Sequence, residues 1–112
     1  ALPPIEIVTD DGRYDYDARY TTDSTEYFVP ARLDQDVLDH AQGAALEIHA
    51  LLGLRHLSRI DLIVDPTGTV WFIDANVAPG MTDTSLFPQA ADAQDSFSAV
   101  CDRIVHFVAS DL

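Results

Sequence analysis

The chain has no lysine: its six basic residues are all arginines, set against 19 aspartates and glutamates for a formal net charge of −13. A surface this acidic repels phosphodiester backbones and anionic lipid, which argues against nucleic-acid and membrane partners. It also leaves only arginine, or a bound metal, to meet any phosphate group within these 112 residues. The single cysteine, Cys101, excludes an internal disulfide and fits a reducing compartment. No apolar run approaches the roughly 20 residues needed to span a bilayer. The opening residues, Ala-Leu-Pro-Pro-Ile-Glu-Ile, have neither an initiator methionine nor a basic stretch before an apolar one. They read as a position inside a longer protein and not as a signal peptide.

What is present is globular in character, with 47% hydrophobic and 9% aromatic residues. Residues Ile5 to Thr9 alternate as a strand, and Asp10-Asp11-Gly12 signals a turn. The segment Arg13 to Tyr20 carries three tyrosines among charges without helical or strand periodicity, the pattern of a loop whose rings pack on something. A second strand, Thr25 to Val29, stops at Pro30. Asp34 is placed to cap a helix whose apolar positions are Val37, Leu38, Ala41, Ala45, Ile48 and Leu52, with Gly53 as its stop. His40, His49, His56 and His106 lack the spacing of a metal site and read as ordinary histidines. A short helical stretch begins near Ser85. A last helix starts at about Ser96 with Phe97, Val100, Cys101, Ile104 and Val108 as its stripe, which makes Cys101 a packing residue and not a nucleophile.

Between Ser58 and Asn76 two β-rich runs flank Asp65-Pro66-Thr67-Gly68, a hairpin turn signal. Alternation puts Arg59 and Asp61 on one face of the first strand, and Val70, Phe72, Asp74 and Asn76 on one face of the second. With Asp65 paired to Gly68 across a tight turn, Arg59 falls opposite Asp74 and Asp61 opposite Phe72. Directly opposed residues have Cβ atoms about 5 Å apart, so Arg59, Asp61, Asp74 and Asn76 converge. A three-residue loop with a bulge at Gly68 would shift the register and break that convergence. Two carboxylates and an amide, without histidine or cysteine, suit a hard cation such as magnesium that keeps waters and is shared with phosphates. The plainer alternative is a surface ion pair between Arg59 and its neighbours. The apolar flanks, Ile60, Leu62, Ile63, Trp71, Phe72 and Ile73, suggest a largely buried hairpin, where clustered carboxylates need compensation.

The residues Arg59-Ile60-Asp61, then Asp74-Ala75-Asn76, then Ala78-Pro79-Gly80-Met81-Thr82 and Ser85-Leu86-Phe87-Pro88 resemble the signature of the D-alanine–D-alanine ligases, members of the ATP-grasp superfamily. Tyr14 to Tyr20 is similar to that family's mobile loop, and Thr25-Glu26-Tyr27 through Pro30-Ala31 to the segment after it. The similarity covers essentially the whole chain in order, and linked motifs are more specific than any one alone.

The resemblance implies an α+β fold: residues 1–112 as the carboxy-terminal part of an ATP-grasp catalytic domain, mainly antiparallel sheet with helices packed on one side. It implies a ligation of two D-alanine molecules through an acyl phosphate, for a peptidoglycan precursor, in the cytoplasm. ATP and two magnesium ions, with manganese as a substitute, are the implied cofactors. The metal ligands would be Asp61, Asp74 and Asn76, the last two also serving the nucleotide. Arg59 and the Gly80 N–H would face the reacting carbonyl oxygen, and Ser85 with the Leu86 backbone would hold the second amino acid's carboxylate. Tyr20 would close the site, and Arg19 stands where the family has a lysine near the phosphates. The remainder of the enzyme and a second subunit, as a homodimer, are the implied partners. The sequence departs from the family at Asp74, where glutamate is usual, and at Val77, where a small hydroxyl residue is usual. Asp74 motivates one rival, a nucleotide- or metal-binding homologue without ligase activity. Another rival is a ligase with a different acceptor. These residues alone are not expected to catalyse.

Overall fold

The computed structural model of the chain describes residues 1–9, 25–82 and 85–111. Among them, strands β1 (Glu6–Thr9) and β2 (Thr25–Phe28) precede helix α1 (Gln35–Leu51). Strands β3 (Arg59–Val64) and β4 (Val70–Asn76) follow, and then helices α2 (Leu86–Gln94) and α3 (Phe97–Ser110). The class is α+β with antiparallel pairing throughout, as expected. The described strands form two separate ribbons, β1–β2 and β3–β4.

In the first ribbon Glu6 pairs with Phe28 and Thr9 with Thr25. Its open end is pinned from outside. Ala31 N–H donates to Pro4 O at 2.9 Å, and Arg32 grips Glu6 with Nε on Oε1 at 3.0 Å and a terminal nitrogen on Oε2 at 2.9 Å. The Arg32 guanidinium lies 3.6 Å from the centre of the Phe28 ring. Its hydrogen bonds hold the Glu6 carboxyl below the ordinary carboxylate range.

Helix α1 forms where the apolar spacing places it. Leu38 and Ala41, three residues apart, are its buried positions. It ends at Leu52, and Gly53 takes φ +66°, a left-handed conformation that glycine adopts without Cβ penalty. The helix packs across β3 and β4, so the hairpin has one face toward α1 and one away. Helices α2 and α3 pack on each other around Ala90, Ala91 and Val100, all buried. Asp92 Oδ1 accepts from Phe97 N–H at 2.7 Å, and Ser96 Oγ caps α3 by accepting from Ala99 N–H at 3.0 Å. Cys101 is partly buried beside Val100, consistent with a packing role.

The expectation of a largely buried hairpin does not hold for these residues. Ile63, Trp71, Phe72 and Ile73 are each at least half exposed, as are Val105 and Phe107 on α3. The described elements that could cover the hairpin supply one layer, α1, and a two-stranded ribbon has two faces to bury.

Candidate functional site

Register decides which side chains meet. The turn between β3 and β4 is not the tight two-residue one. Asp65 N–H donates to Thr69 O at 3.0 Å and Gly68 N–H to Asp65 O at 2.9 Å, so Pro66-Thr67-Gly68 form a three-residue loop. Gly68 takes φ +86°, which this loop type requires. Asp65 organises the loop: Oδ1 accepts from the backbone N–H groups of Thr67 and Thr69 and from the Thr67 hydroxyl, and Oδ2 from the Trp71 indole N–H. Those donors, Thr67 and Trp71 foremost, hold its carboxyl at about 2.

This loop pairs Val64 with Val70, Ile63 with Trp71 and Leu62 with Phe72. Continued unbroken, that register would set Asp61 against Ile73 and put Asp74 on the far side. The register shifts once more between Leu62 and Asp61, where Ile73 is the extra residue of a β-bulge. Beyond it Asp61 pairs directly with Asp74, Ile60 with Ala75 and Arg59 with Asn76. The expected pairs, Arg59 with Asp74 and Asp61 with Phe72, are therefore corrected. Two one-residue shifts cancel in parity, and the four polar residues still share a face. Trp71 shares it with them; Val70 and Phe72 do not, because the bulge breaks the alternation of β4.

On that face Arg59 binds Asp61 through two hydrogen bonds, Nε to Oδ1 at 2.8 Å and a terminal nitrogen to Oδ2 at 3.1 Å. Both side chains are partly buried, at 24% and 30% exposure, which favours the pair over a fully solvated one. Asp74 is exposed, and Asn76 is half-buried with its Oδ1 accepting from Ala78 N–H at 2.9 Å. That short turn fixes the amide oxygen at the end of β4. Opposed carboxylates about 5 Å apart at Cβ repel one another, so the Asp61–Asp74 pair invites a cation. Arg59 supplies one positive charge to two negative ones. The donors are all oxygens, and each Asp61 oxygen keeps a further lone pair beside its Arg59 hydrogen bond. A hard divalent ion fits such a set. No three His, Cys, Asp or Glu side chains among the described residues come together. An ion here would complete its shell with water or ligand phosphates and not within a protein cage.

The strand runs on into the loop that holds Gly80 and Ser85. A Cβ on Gly80 would meet Ser85 Oγ at 2.7 Å, so only glycine fits with the serine where it is. Ser85 occupies the N-cap position of α2, with an extended backbone (φ −82°, ψ 151°), yet its side chain makes no capping hydrogen bond. The hydroxyl turns back to accept from Thr82 N–H at 3.1 Å and lies 2.7 Å from Thr82 Oγ1. The first-turn N–H groups of α2, beginning at Leu86, thus have no partner within their helix and none from the cap. Leu86 itself is buried, which fixes this end of the helix. Arg19 and Tyr20 lie outside the described residues. The Thr82–Ser85 hydroxyl pair and the Ile73 bulge are not among the sequence expectations. A serine and a threonine three apart ahead of a helix signal the first, and nothing in the run Trp71-Phe72-Ile73 signals the second.

The sequence matches the family model described as "D-ala D-ala ligase C-terminus" over residues 1–106. It is 41% identical over 106 residues to the D-alanine–D-alanine ligase of Methylacidiphilum infernorum, covering 94% of this chain and 35% of that protein. It is 42% identical over 106 residues to the D-alanine–D-alanine ligase of Bordetella avium, covering 94% and 33%. Among solved structures, the VanG D-Ala:D-Ser ligase of Enterococcus faecalis superposes with a TM-score of 0.76 at 30% identity, over 95% of this chain and 31% of that one. The D-alanine–D-alanine ligase of Bacillus anthracis complexed with ATP gives 0.75 at 31%, over 95% and 35%. The chain spans about a third of the length of the curated relatives it matches. Family model, sequence identity and fold agree, and the chain belongs to the D-alanine–D-alanine ligase family, over the part that forms the ligase carboxy terminus.

Proposed function

We propose that, as part of a full-length ligase, this chain supplies the metal-binding and acceptor-binding half of a site that joins two D-alanine molecules at the expense of ATP. The reading is carried by the register of β3 against β4, with Asp61 opposite Asp74 and Arg59 opposite Asn76 on one face.

In the proposed reaction an oxygen of the first D-alanine carboxylate attacks the γ-phosphorus of ATP. The bond to the ADP oxygen breaks and an acyl phosphate forms. The amine of the second D-alanine, having lost a proton, attacks the acyl carbon, and the carbon–oxygen bond to phosphate breaks. Asp61, Asp74 and Asn76 would hold magnesium, which when bound neutralises charge on the nucleotide phosphates. Arg59, kept in place by its two bonds to Asp61, would reach toward the acyl oxygen, and the Gly80 N–H would donate to the same atom. A donor aimed where negative charge develops is worth about 3 kcal/mol in such reactions. Ser85 Oγ and the Leu86 N–H would hold the carboxylate of the second amino acid at the N-terminus of α2, where amides without an intrahelical partner favour an anion. Arg19 and Tyr20 complete the proposal, at the phosphates and at closure of the site. The exposed apolar side of the β3–β4 hairpin is the natural seat for the rest of the enzyme. No helix among the described residues is long and apolar enough to cross a membrane. A cytoplasmic homodimer making a cell-wall precursor is the setting this reading carries.

The curated relatives named above are both D-alanine–D-alanine ligases, which supports D-alanine over a different acceptor. The test is ADP release by the full-length protein with D-alanine alone and with D-alanine plus D-serine, with and without magnesium. Magnesium-dependent turnover giving D-alanyl-D-alanine supports the proposal, and a mixed product moves it to the other acceptor. Nucleotide binding without turnover under either condition sinks it in favour of a binding homologue.

A further inference from the structure

The Ser85 hydroxyl can play its proposed part only if its proton points at the acceptor, and the structure contains what could aim it. A hydroxyl has one proton to donate and two lone pairs that accept. One lone pair of Ser85 Oγ takes the Thr82 backbone N–H, at 3.1 Å. Thr82 Oγ1 stands 2.7 Å from the same oxygen, a contact in which either hydroxyl could donate. A third bond fastens the two residues, from Ser85 N–H to Thr82 O at 3.0 Å. Gly80 leaves the room: a Cβ there would lie 2.7 Å from Ser85 Oγ, where the hydroxyl now turns away from its own helix.

A carboxylate can only accept. When one binds at the N-terminus of α2, Ser85 must give it the proton. The Thr82 hydroxyl must then donate to Ser85, because an oxygen that has spent its only proton cannot donate twice. We propose that Thr82 is a positioning residue for the acceptor site, which fills both lone pairs of Ser85 Oγ through its N–H and its hydroxyl and so commits the Ser85 proton to the acceptor's carboxylate. This deepens the proposed function and rests on it. It explains why a serine in an N-cap position forgoes capping.

The test uses the full-length protein with Thr82→Val, which keeps the shape and removes the hydroxyl, and Thr82→Ser, which restores a hydroxyl. The expected result for Thr82→Val is a rise of about tenfold in the apparent KM for the second amino acid, with the KM for ATP unchanged. Thr82→Ser should recover most of that loss. In a Ser85→Ala background, Thr82→Val should add little, because the hydroxyl it orients is gone. Calorimetric binding of D-alanine beside a non-hydrolysable ATP analogue gives the same comparison without turnover. An equal loss in KM for ATP, no recovery by serine, or full additivity with Ser85→Ala overturns the role of Thr82 while leaving an active ligase. An unmutated protein that neither binds nor joins D-alanine overturns the ligase reading and this inference with it.

Discussion

Gly80 and Ser85 are five residues apart in sequence and in contact in space, so close that a methyl group on Gly80 would sit 2.7 Å from Ser85 Oγ and 3.4 Å from Ser85 Cβ. The serine hydroxyl would have to rotate and abandon Thr82, whose N–H and hydroxyl it meets at 3.1 and 2.7 Å. Gly80→Ala is therefore expected to keep the fold while disturbing the acceptor end of the site. Losing one or two hydrogen bonds of this kind corresponds to about 1–2 kcal/mol, or about 5- to 30-fold in kcat/KM for the second amino acid. Steady-state kinetics with far-UV circular dichroism as a control would check it. Unaltered kinetics in a folded Gly80→Ala protein would mean the contact is idle.

The pairing of Asp61 with Asp74 is open to a chemical test independent of activity. Opposed residues in an antiparallel pair lie within the Cα separation a disulfide accepts, about 4.4–6.8 Å, while residues on opposite faces point apart. With Cys101→Ala to remove the native thiol, the pair Asp61→Cys and Asp74→Cys should cross-link readily under mild oxidation. The pair Asp61→Cys and Phe72→Cys should not, since Phe72 pairs with Leu62 and faces the other way. Mass spectrometry of the oxidised proteins reads the answer. Efficient closure of the second pair would mean that in solution the hairpin takes the tight two-residue turn, with Asp61 against Phe72, in place of the three-residue loop and the bulge.

Much of this architecture was legible before the structure, and the reason differs by element. The spacing of Leu38, Ala41 and their neighbours, followed by Gly53, marks α1 to within a residue, because helix periodicity and its stop signal agree. The hairpin is equally plain from its turn. Its register is not, because Asp-Pro-Thr-Gly suits loops of two or three residues. The uninterrupted apolar run Trp71-Phe72-Ile73 also hides the place where alternation breaks. The sequence implies the convergence of Arg59, Asp61, Asp74 and Asn76 through a pairing that the chain does not use. It survives because the loop and the bulge each add one residue, and side chains alternate with period two. Exposure is hard to read from the sequence for a different reason: apolar residues report a surface to be covered, not the element that covers it.

Asp65 gives the β3–β4 turn a pH signature. Its carboxyl, ordinarily near 3.8, is held at about 2 by hydrogen bonds from Thr67 and Trp71. A carboxyl depressed in the folded state stabilises fully above its unfolded value and loses that contribution as pH falls through the folded one. The turn should therefore be indifferent to pH above about 5 and weaken between about 4 and 2. Thermal unfolding followed by Trp71 fluorescence would show a melting temperature falling across that window. Asp65→Asn should remove the charge-dependent part, leaving a shallower slope below pH 4 and a lower melting temperature at neutral pH. An identical slope in the two proteins would assign the acid sensitivity elsewhere, with Glu6, also depressed by its bonds from Arg32, as the next group to change.

Asp74 is one of two positions, with Val77, at which the resemblance to the family implies a departure, and its place in the hairpin gives that departure a testable consequence. It stands directly opposite Asp61, whose two oxygens are already bound by Arg59 at 2.8 and 3.1 Å. A cation shared across the pair must draw mainly on Asp74 and Asn76, with Asp61 contributing the lone pairs that Arg59 leaves. An aspartate reaches less far from the strand than a glutamate by one methylene, so the reach of Asp74 limits how well it can serve such an ion. Asp74→Glu in the full-length protein is expected to lower the magnesium concentration for half-maximal turnover by a few-fold, within the about 10–100-fold range through which ligand surroundings tune metal affinity. Asp74→Ala is expected to cost at least about 100-fold in kcat/KM, because the shared ion loses a charged ligand. Turnover titrated against magnesium distinguishes these outcomes from a general loss of stability, which would lower the maximal rate without moving the midpoint. An Asp74→Ala protein with an unshifted magnesium midpoint and near-normal rate would show that the cation is held elsewhere and that the paired carboxylates serve only the hairpin.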